Sequence, residues 1–443
     1  MSVDFYKILY NWKNTLGNPL VTITRNYRVN TATITQSRFG RYSYKPKKEK
    51  YWVPLHCTNE DNLDFDNTSV TNWVNPEINS LEIPAPDYNK WLICNKKQLG
   101  FYRVNYDDKN WQLIIKYINS DNYDRIHHLN RAQLIDDTFL LAEIGNVDYR
   151  ITFNLLKYLE YETHYIPWNS FWKQLSRFHK SALPSSKFYD VFKAFVIMRT
   201  KNFEERIFMD DESNDDRYLK SLRKKFIHWT CQFGSNLCKN YTFSKLTKWL
   251  EDPKKNSLPN NFKKEILCGG MRKADQKTWN QLWDKFYHHI SDQESLNALG
   301  CSLDDNILKN FIAKAVEDRF RSIYPWTLFE VIGGQSYRGI DVILETMNSN
   351  QTEYNEKFTK YYLIKAGVAG VIKRIITATQ YGKLKTILNN NSNIINNTEA
   401  TKNLKIAEIS LNNAQWRFNS MKNFFEETNT KTCLSKDKPP KIN

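Results

Sequence analysis

The chain has 443 residues, of which 41% are hydrophobic and 14% aromatic, and a formal net charge of +16. That is enough apolar material for two or three packed domains and excludes a disordered polypeptide. No run approaches the about 18 apolar residues that a membrane span needs, and the most apolar one, GVAGVIKRIITA, is cut by Lys373 and Arg374. The lysines lie dispersed among Asp and Glu, without an arginine-rich stripe or nucleic-acid motif, so the excess charge reads as a solvated basic surface and nucleic acid is not expected as a partner.

Residues 1–17 place Phe5, Ile8, Leu9 and Trp12 at helical spacing, so a helix is expected before Gly17. From 18 to 105 the period falls to two. Val21, Ile23 and Arg25 face one way, Thr22 and Thr24 the other, and the alternation resumes in TATITQ after a turn at VNT, which predicts a β-hairpin. Short strand candidates at YWVPLHC, SVTNWVN, KWLICN and GFYRVNY, parted by Asn- and Asp-rich turns, extend this to a small β-sandwich. KPKKEK, from Lys45 to Lys50, reads as an exposed loop.

Beyond Tyr106 the period becomes helical. Asn130 is placed to cap NRAQLIDDTFLLAEIG, with Leu134, Ile135, Thr138, Leu141 and Ala142 on one face and Gly145 at the C-terminal cap. Asp148 caps the next helix, which carries Ile151, Leu155, Leu156 and Leu159. Comparable helices recur in TWNQLWDKFYHHI, in SLNALG with NILKNFIAKAVEDRF, and in AEISLNNAQWRFNSMKNFF. Each hairpin leaves apolar surface that a neighbour must cover, so residues 106–433 are predicted to form a HEAT/armadillo-like helical solenoid. ILNNNSNIINNTEATKN is expected to be an exposed loop or frayed helix end, and 434–443 a loose tail. The fold class is thus mostly α with a small all-β N-terminal domain.

A zinc hydrolase built on a helix needs two histidines four apart and an adjacent carboxylate, HExxH, and no such string occurs. The eight histidines are His56, His127, His128, His164, His179, His228, His288 and His289. Helical neighbours such as His127 and His128 point about 100° apart, and His288 with Asp292 makes too poor a ligand set, so no metal is expected in this chain. GxSxG, GxGxxG and a phosphate loop are also missing, GGQSYRG reads as a turn, and Asp136 and Asp137 read as helix solvation. No catalytic residue is assigned.

Among seven cysteines, Cys231 and Cys238 bracket CQFGSNLC, while Cys268 and Cys301 lie in ILCGG and ALGCS. The first spacing is too wide for a CxxC motif; it suits a structural disulfide, and free buried thiols remain the alternative. Five N-x-S/T sequons, at Asn67, Asn240, Asn350, Asn390 and Asn396, are candidate glycosylation sites. They lean towards a secretory history, whereas the termini show neither an apolar signal core nor a hydrophobic tail.

Several blocks in one order carry a resemblance. GNPLVTITRNY followed by ATITQSRF, then KWLICNKKQLGFYRVNYDDKNW, HLNRAQLIDDTFLLAEIG, YIPW at Tyr165–Trp168, MRKADQKTWNQLW and LNALGC, resemble the C-terminal region of animal aminopeptidase N-type zinc metallopeptidases. This gluzincin family includes the endoplasmic-reticulum aminopeptidases. The resemblance implies a β-sandwich followed by a helical domain that caps the active site as a bowl, in enzymes that remove N-terminal residues from peptides. It implies disulfides Cys231–Cys238 and Cys268–Cys301, with Cys57, Cys94 and Cys433 unpaired, and an oxidising compartment, secretory or membrane-attached. The family holds its zinc in a thermolysin-like domain, through HExxH and a later Glu, with GxMEN for the substrate amine and a tyrosine for the tetrahedral intermediate. No residue here matches those motifs. Residues 1–17 therefore read as the last helix of a catalytic domain the chain lacks, and the chain as a truncated or partial aminopeptidase with no cofactor of its own. Tyr102, Arg103 and Arg131 lie in the best-matching blocks and are candidate peptide contacts, with packing or helix capping as the competing role. The expected partners are peptides and a catalytic aminopeptidase domain in trans or a homodimer partner. A stand-alone solenoid that binds a peptide or protein is the other reading.

Overall fold

A computed structural model describes residues 4–40, 49–179, 189–209, 216–317, 320, 326–349 and 357–430. The chain divides into two compact units, one ending at Leu175 and the other starting at Ser176. Most of KPKKEK, the sequon at Asn350, Cys433 and the C-terminal tail fall outside the described residues.

The first unit opens with α1 (Phe5–Asn14), where the Asp4 side chain caps the helix by accepting from the Tyr6 N–H. One edge ties the helix down: Trp12 Nε1 donates to the Trp52 carbonyl at 2.8 Å, and the Asn11 amide exchanges hydrogen bonds with the backbone of Lys50 and Trp52. Ile8 is buried, but Phe5, Tyr6, Leu9 and Tyr10 stay exposed.

Eight short strands follow: β1 (Pro19–Asn26), β2 (Thr31–Arg38), β3 (Val53–Leu55), β4 (Cys57–Asn59), β5 (Asn72–Val74), β6 (Leu81–Pro84), β7 (Leu92–Cys94) and β8 (Arg103–Tyr106). They form one sheet in the order β6-β2-β1-β8 and two-stranded ladders β3–β5 and β4–β7. The predicted hairpin is β1–β2, antiparallel from Pro19 opposite Arg38 to Asn26 opposite Thr31. Val21, Ile23 and Arg25 face inward, as the alternation requires. A buried guanidinium needs acceptors on every side. Arg25 finds them in the carbonyls of Pro86, Asp87 and Lys90 and in Asn110 Oδ1.

Cys57 and Cys94 were expected to be unpaired; instead they stand directly opposite in the β4–β7 ladder and form a disulfide. Their separation of 37 residues hides a juxtaposition that antiparallel pairing alone creates.

The unit continues with α2 (Asp108–Ile118), α3 (His128–Glu143), α4 (Tyr149–Leu155) and α5 (Tyr165–Phe178), the last reaching across the unit boundary. Gly145 takes the left-handed conformation after α3, and Asp148 caps α4, both as predicted. Two expectations for α3 are corrected. His127, not Asn130, is its N-cap. The helix is also buried on all faces from Asn130 to Glu143 rather than along one stripe, because β8 and the Lys96–Gln98 turn pack on it as well as α4.

The second unit is helical: α6 (Tyr189–Met209), α7 (Arg217–Phe233), α8 (Asn236–Glu251), α9 (Lys263–Met271), α10 (Gln276–His288), α11 (Gln293–Leu299), α12 (Asp305–Ala315), α13 (Thr327–Gln335), α14 (Tyr337–Asn348), α15 (Lys357–Val371), α16 (Ala378–Asn390) and α17 (Asn397–Thr430). Its core centres on α10, where Trp279 and Trp283 stack at 5.6 Å and Phe311 closes on both edge-on. Disulfides join Cys231 of α7 to Cys238 of α8 and Cys268 of α9 to Cys301 after α11, the two pairs the resemblance implies. The Asn-rich passage is the end of α16 at Asn390 followed by a turn to Asn396, with most of its asparagines exposed and Ile387, Leu388, Asn391 and Ile395 turned inward. No helix of the described residues is long and apolar enough to cross a membrane.

Helix α9 lies so close to α7 and α8 that a Cβ at Gly269 would meet Cys231 Sγ and Thr242 Oγ1, each at 2.8 Å. Gly269→Val is expected to destabilise the chain by about 1–3 kcal/mol through overpacking, measured as a lowered urea midpoint under non-reducing conditions. An unchanged midpoint would show the contact to be slack.

Candidate functional site

Between β7 and β8 the chain turns through a conformation that L-residues rarely adopt, with Asn95, Lys97 and Gln98 at φ of 63°, 54° and 53°. Side chains hold the turn in place. The Asn95 amide donates to the carbonyls of Gly100 and Tyr102 and accepts from the Gly100 N–H at 2.8 Å. Asn130, inside α3, accepts from the Lys97 N–H at 2.7 Å and donates to the Asn95 carbonyl. From the other side, His56 Nδ1 accepts from the Lys96 N–H at 2.9 Å. The outcome is a rigid projection that presents Leu99 and Phe101 to solvent, 65% and 76% exposed.

Beneath it lies a cleft of about 300 Å³, bounded by Asn18, Gln98 to Arg103 and Asp137. Its lining is mixed, with Leu99, Phe101 and Tyr102 beside Asn18, Gln98, Arg103 and Asp137. The Tyr102 hydroxyl is buried without a hydrogen-bond partner, and burial raises its pKa well above the phenolic range.

Asp136 and Asp137 are buried, which corrects their reading as solvated helix residues. Arg103 Nη1 reaches Asp136 Oδ2 at 2.8 Å and Asp137 Oδ1 at 2.7 Å, and the Val104 N–H donates to Asp137 Oδ2. Successive helical positions do diverge, but a guanidinium entering from β8 bridges them. Lys173 Nζ also stands 3.9 Å from Asp136 Oδ1, whereas Asp137 has only the Arg103 charge that it shares with Asp136, so burial prevails over Arg103 and pushes the Asp137 carboxyl up to about 6. Burial pulls the Arg103 pKa down, and the two carboxylates more than restore it.

Of the three candidate peptide contacts, Tyr102 and Arg103 meet at this cleft. Arg131 does not. It forms a buried, two-pronged ion pair with Glu162, with Nε and Oε2 2.7 Å apart, and donates to the Ile126 carbonyl at 2.6 Å. The sequons at Asn67, Asn240, Asn390 and Asn396 are on exposed residues. No group of three or more His, Cys, Asp or Glu among the described residues is arranged to hold a metal ion.

Sequence reasoning missed the Cys57–Cys94 bond, the Asp136–Arg103–Asp137 bridge and the clamp formed by Asn95 and Asn130. The first had a signal, one cysteine in each of two strand candidates. The others had none, because they depend on which strand lies against α3.

The ERAP1-like C-terminal domain family matches residues 91–407. Aminopeptidase N of Plutella xylostella is 31% identical over 304 residues, covering 67% of this chain and 32% of that protein. The human thyrotropin-releasing hormone-degrading ectoenzyme is 26% identical over 333 residues, covering 70% and 30%, and human aminopeptidase N is 24% identical over 323 residues, covering 69% and 32%. The chain therefore spans about a third of the length of the curated relatives it matches.

Arg103→Met leaves the buried Asp137 without a cation and Asp136 with only Lys173, 3.9 Å away, and is expected to destabilise the chain by about 3–5 kcal/mol in chemical denaturation. A loss below about 1 kcal/mol would show the bridge to be dispensable. Because the Asp137 carboxyl is raised to about 6 from an ordinary 3.8, its contribution is full below 3.8 and is lost as pH rises through about 6. Asp137→Asn should thus gain on the parent by roughly 1–3 kcal/mol between pH 4 and 7. A constant difference across that range would refute the assignment.

Proposed function

The chain belongs to the aminopeptidase N-type zinc metallopeptidases through their C-terminal domain, and from that premise we propose that it acts as the non-catalytic, substrate-capping portion of such an enzyme. The reaction served is removal of N-terminal residues from peptides. The helical domain closes over the catalytic face, excludes bulk water and contacts the far end of the peptide, while the zinc and its ligands belong to another polypeptide segment. The 443 residues contain neither HExxH nor GxMEN, and the described residues offer no metal ligand set. No chemical step is assigned to this chain.

The observation that carries the reading is the apolar surface of the first unit. Phe5, Tyr6, Leu9 and Tyr10 of α1 are exposed, as are Leu16, Leu99 and Phe101, and Trp12 meets Phe101 edge-on at 6.5 Å, joining helix and projection. A concentration of exposed aromatic rings on a single chain supports docking against a further protein surface, here the catalytic portion of the same enzyme, in cis or in trans. Tyr102 and Arg103 at the cleft are the residues proposed to face a peptide or that portion. The three disulfides support folding in an oxidising compartment, secretory or extracellular.

Purified residues 1–443, supplied with zinc and fluorogenic aminoacyl amides, are expected to hydrolyse no faster than buffer. Chelator-sensitive turnover would overturn the non-catalytic assignment. Replacing Leu99 and Phe101 together by Ser should reduce the binding of a hydrophobic dye to roughly half without lowering thermal stability, and unchanged dye binding would remove the projection from the docking face.

A further inference from the structure

Three histidines far apart in their roles along the chain come together in the first unit. His127 is the N-cap of α3, His128 its first residue, and His164 precedes α5. The ring centroids of His127 and His128 are 4.1 Å apart, and those of His128 and His164 are 3.8 Å apart with the planes 12° from parallel. This face-to-face stack occupies the space between the N-termini of two helices. The expectation that His127 and His128 diverge fails because His127 lies outside the helix, at φ −53° and ψ 138°.

Two of the three rings also serve as caps. His127 Nδ1 accepts from the Leu129 N–H at 3.3 Å, and His164 Nδ1 accepts from the Ile166 N–H at 3.2 Å. An imidazole accepts only through an unprotonated nitrogen, so in both rings the proton resides on Nε2 and Nδ1 keeps its lone pair. Beneath the stack, Glu162 joins the same two elements, through Arg131 of α3 and by accepting from the His164 N–H at 2.8 Å.

We propose that the His127–His128–His164 stack is an acid-sensitive latch between the starts of α3 and α5, closed while the three imidazoles are neutral and released as they take up protons. A proton added at Nδ1 of either capping ring turns the acceptor into a donor that faces a backbone N–H, so that cap is lost. A second proton within the stack sets imidazolium against imidazolium at about 4 Å. Both events occur at the positive ends of two helix dipoles, which disfavour added cations.

The charges around the stack act mostly in the same direction. Lys97, from the left-handed turn, and Arg131, from α3, oppose protonation of His127 and His128. Asp66 favours protonation of His127, but it is itself paired with Lys97 at 2.5 Å. Glu162 favours protonation of His164, and it is engaged by Arg131. Burial, the largest cause in each case, and these cations lower all three imidazoles, His128 to about 4. A histidine held below its ordinary 6.5 contributes stability that is full above 6.5 and is lost as pH falls towards the folded value. The latch therefore loosens between about pH 6.5 and 4.

The test uses the full chain and a variant with His127→Asn, His128→Gln and His164→Asn, in which Asn retains the capping acceptor but does not titrate. The Asp137 carboxyl works in the opposite direction over this range, so the quantity to read is the difference between variant and parent, in which that contribution cancels. The parent is expected to lose at least roughly tenfold more of its folding equilibrium constant than the variant between pH 7 and 4.5. Imidazole NMR signals of the parent should titrate below 6.5 for all three residues, and amide exchange at Leu129 and Ile166, corrected for intrinsic rates, should accelerate at acid pH. Parallel pH dependence of parent and variant would overturn the proposal. If the variant does not fold, three imidazoles titrating at or above 6.5 in the parent would overturn it equally.

Discussion

A single guanidinium shared by two carboxylates governs how strands meet helices in the first unit. Arg103 stands at the start of β8, the strand that lies parallel to β1 at the sheet edge, and Asp136 and Asp137 sit on a helix buried on every side. Neither partner tolerates burial alone, since an uncompensated charge in such a place costs several kcal/mol. The register of β8 against α3 follows from this requirement: a shift of one residue would turn Arg103 to the opposite face and leave Asp137 without its cation. The same register sets Tyr102 and the Leu99–Phe101 projection over the cleft, so the candidate site inherits its shape from an ion bridge beneath it.

Arg131 with Glu162 performs a comparable task deeper in the unit, joining α3 to the segment before α5. In both places a residue that invites a functional reading from sequence is bound up in structure. Arg103 combines the two roles, because it and its partner Asp137 line a cleft together with Leu99, Phe101 and Tyr102. Arg131 is buried and does not line that cleft. The distinction rests on solvent access, a property that residue type does not carry.

Much of the architecture was legible because it rests on local periodicity. The alternation of Val21, Ile23 and Arg25 gave β1, the Gly145 and Asp148 signals bounded α3 and α4, and the apolar spacing in TWNQLWDKFYHHI gave the central helix of the second unit. What escaped were facts of tertiary placement. Asn130 has the chemistry of a cap and the position of a clamp, since α3 begins two residues earlier at His128 and the left-handed turn needs an acceptor at that spot. Asp136 and Asp137 have the composition of a solvated face, yet β8 covers them. The Asn-rich stretch near residue 390 is a helix end and an exposed turn, as its composition suggests, but composition did not show that Ile387, Leu388 and Ile395 within it are buried.

The Cys57–Cys94 bond closes a covalent ring around the strands and turns from Thr58 to Ile93. A protease that cuts once within that ring cannot separate the two sides, and the pieces remain one molecule until a thiol reductant opens the sulfur bridge. The ends of this excursion stay pinned beside each other whatever path the Asp- and Asn-rich turns take between them. Against proteolysis, this gives the exposed turns of the β part a mechanical backup that hydrogen bonds across three-residue strands alone do not provide.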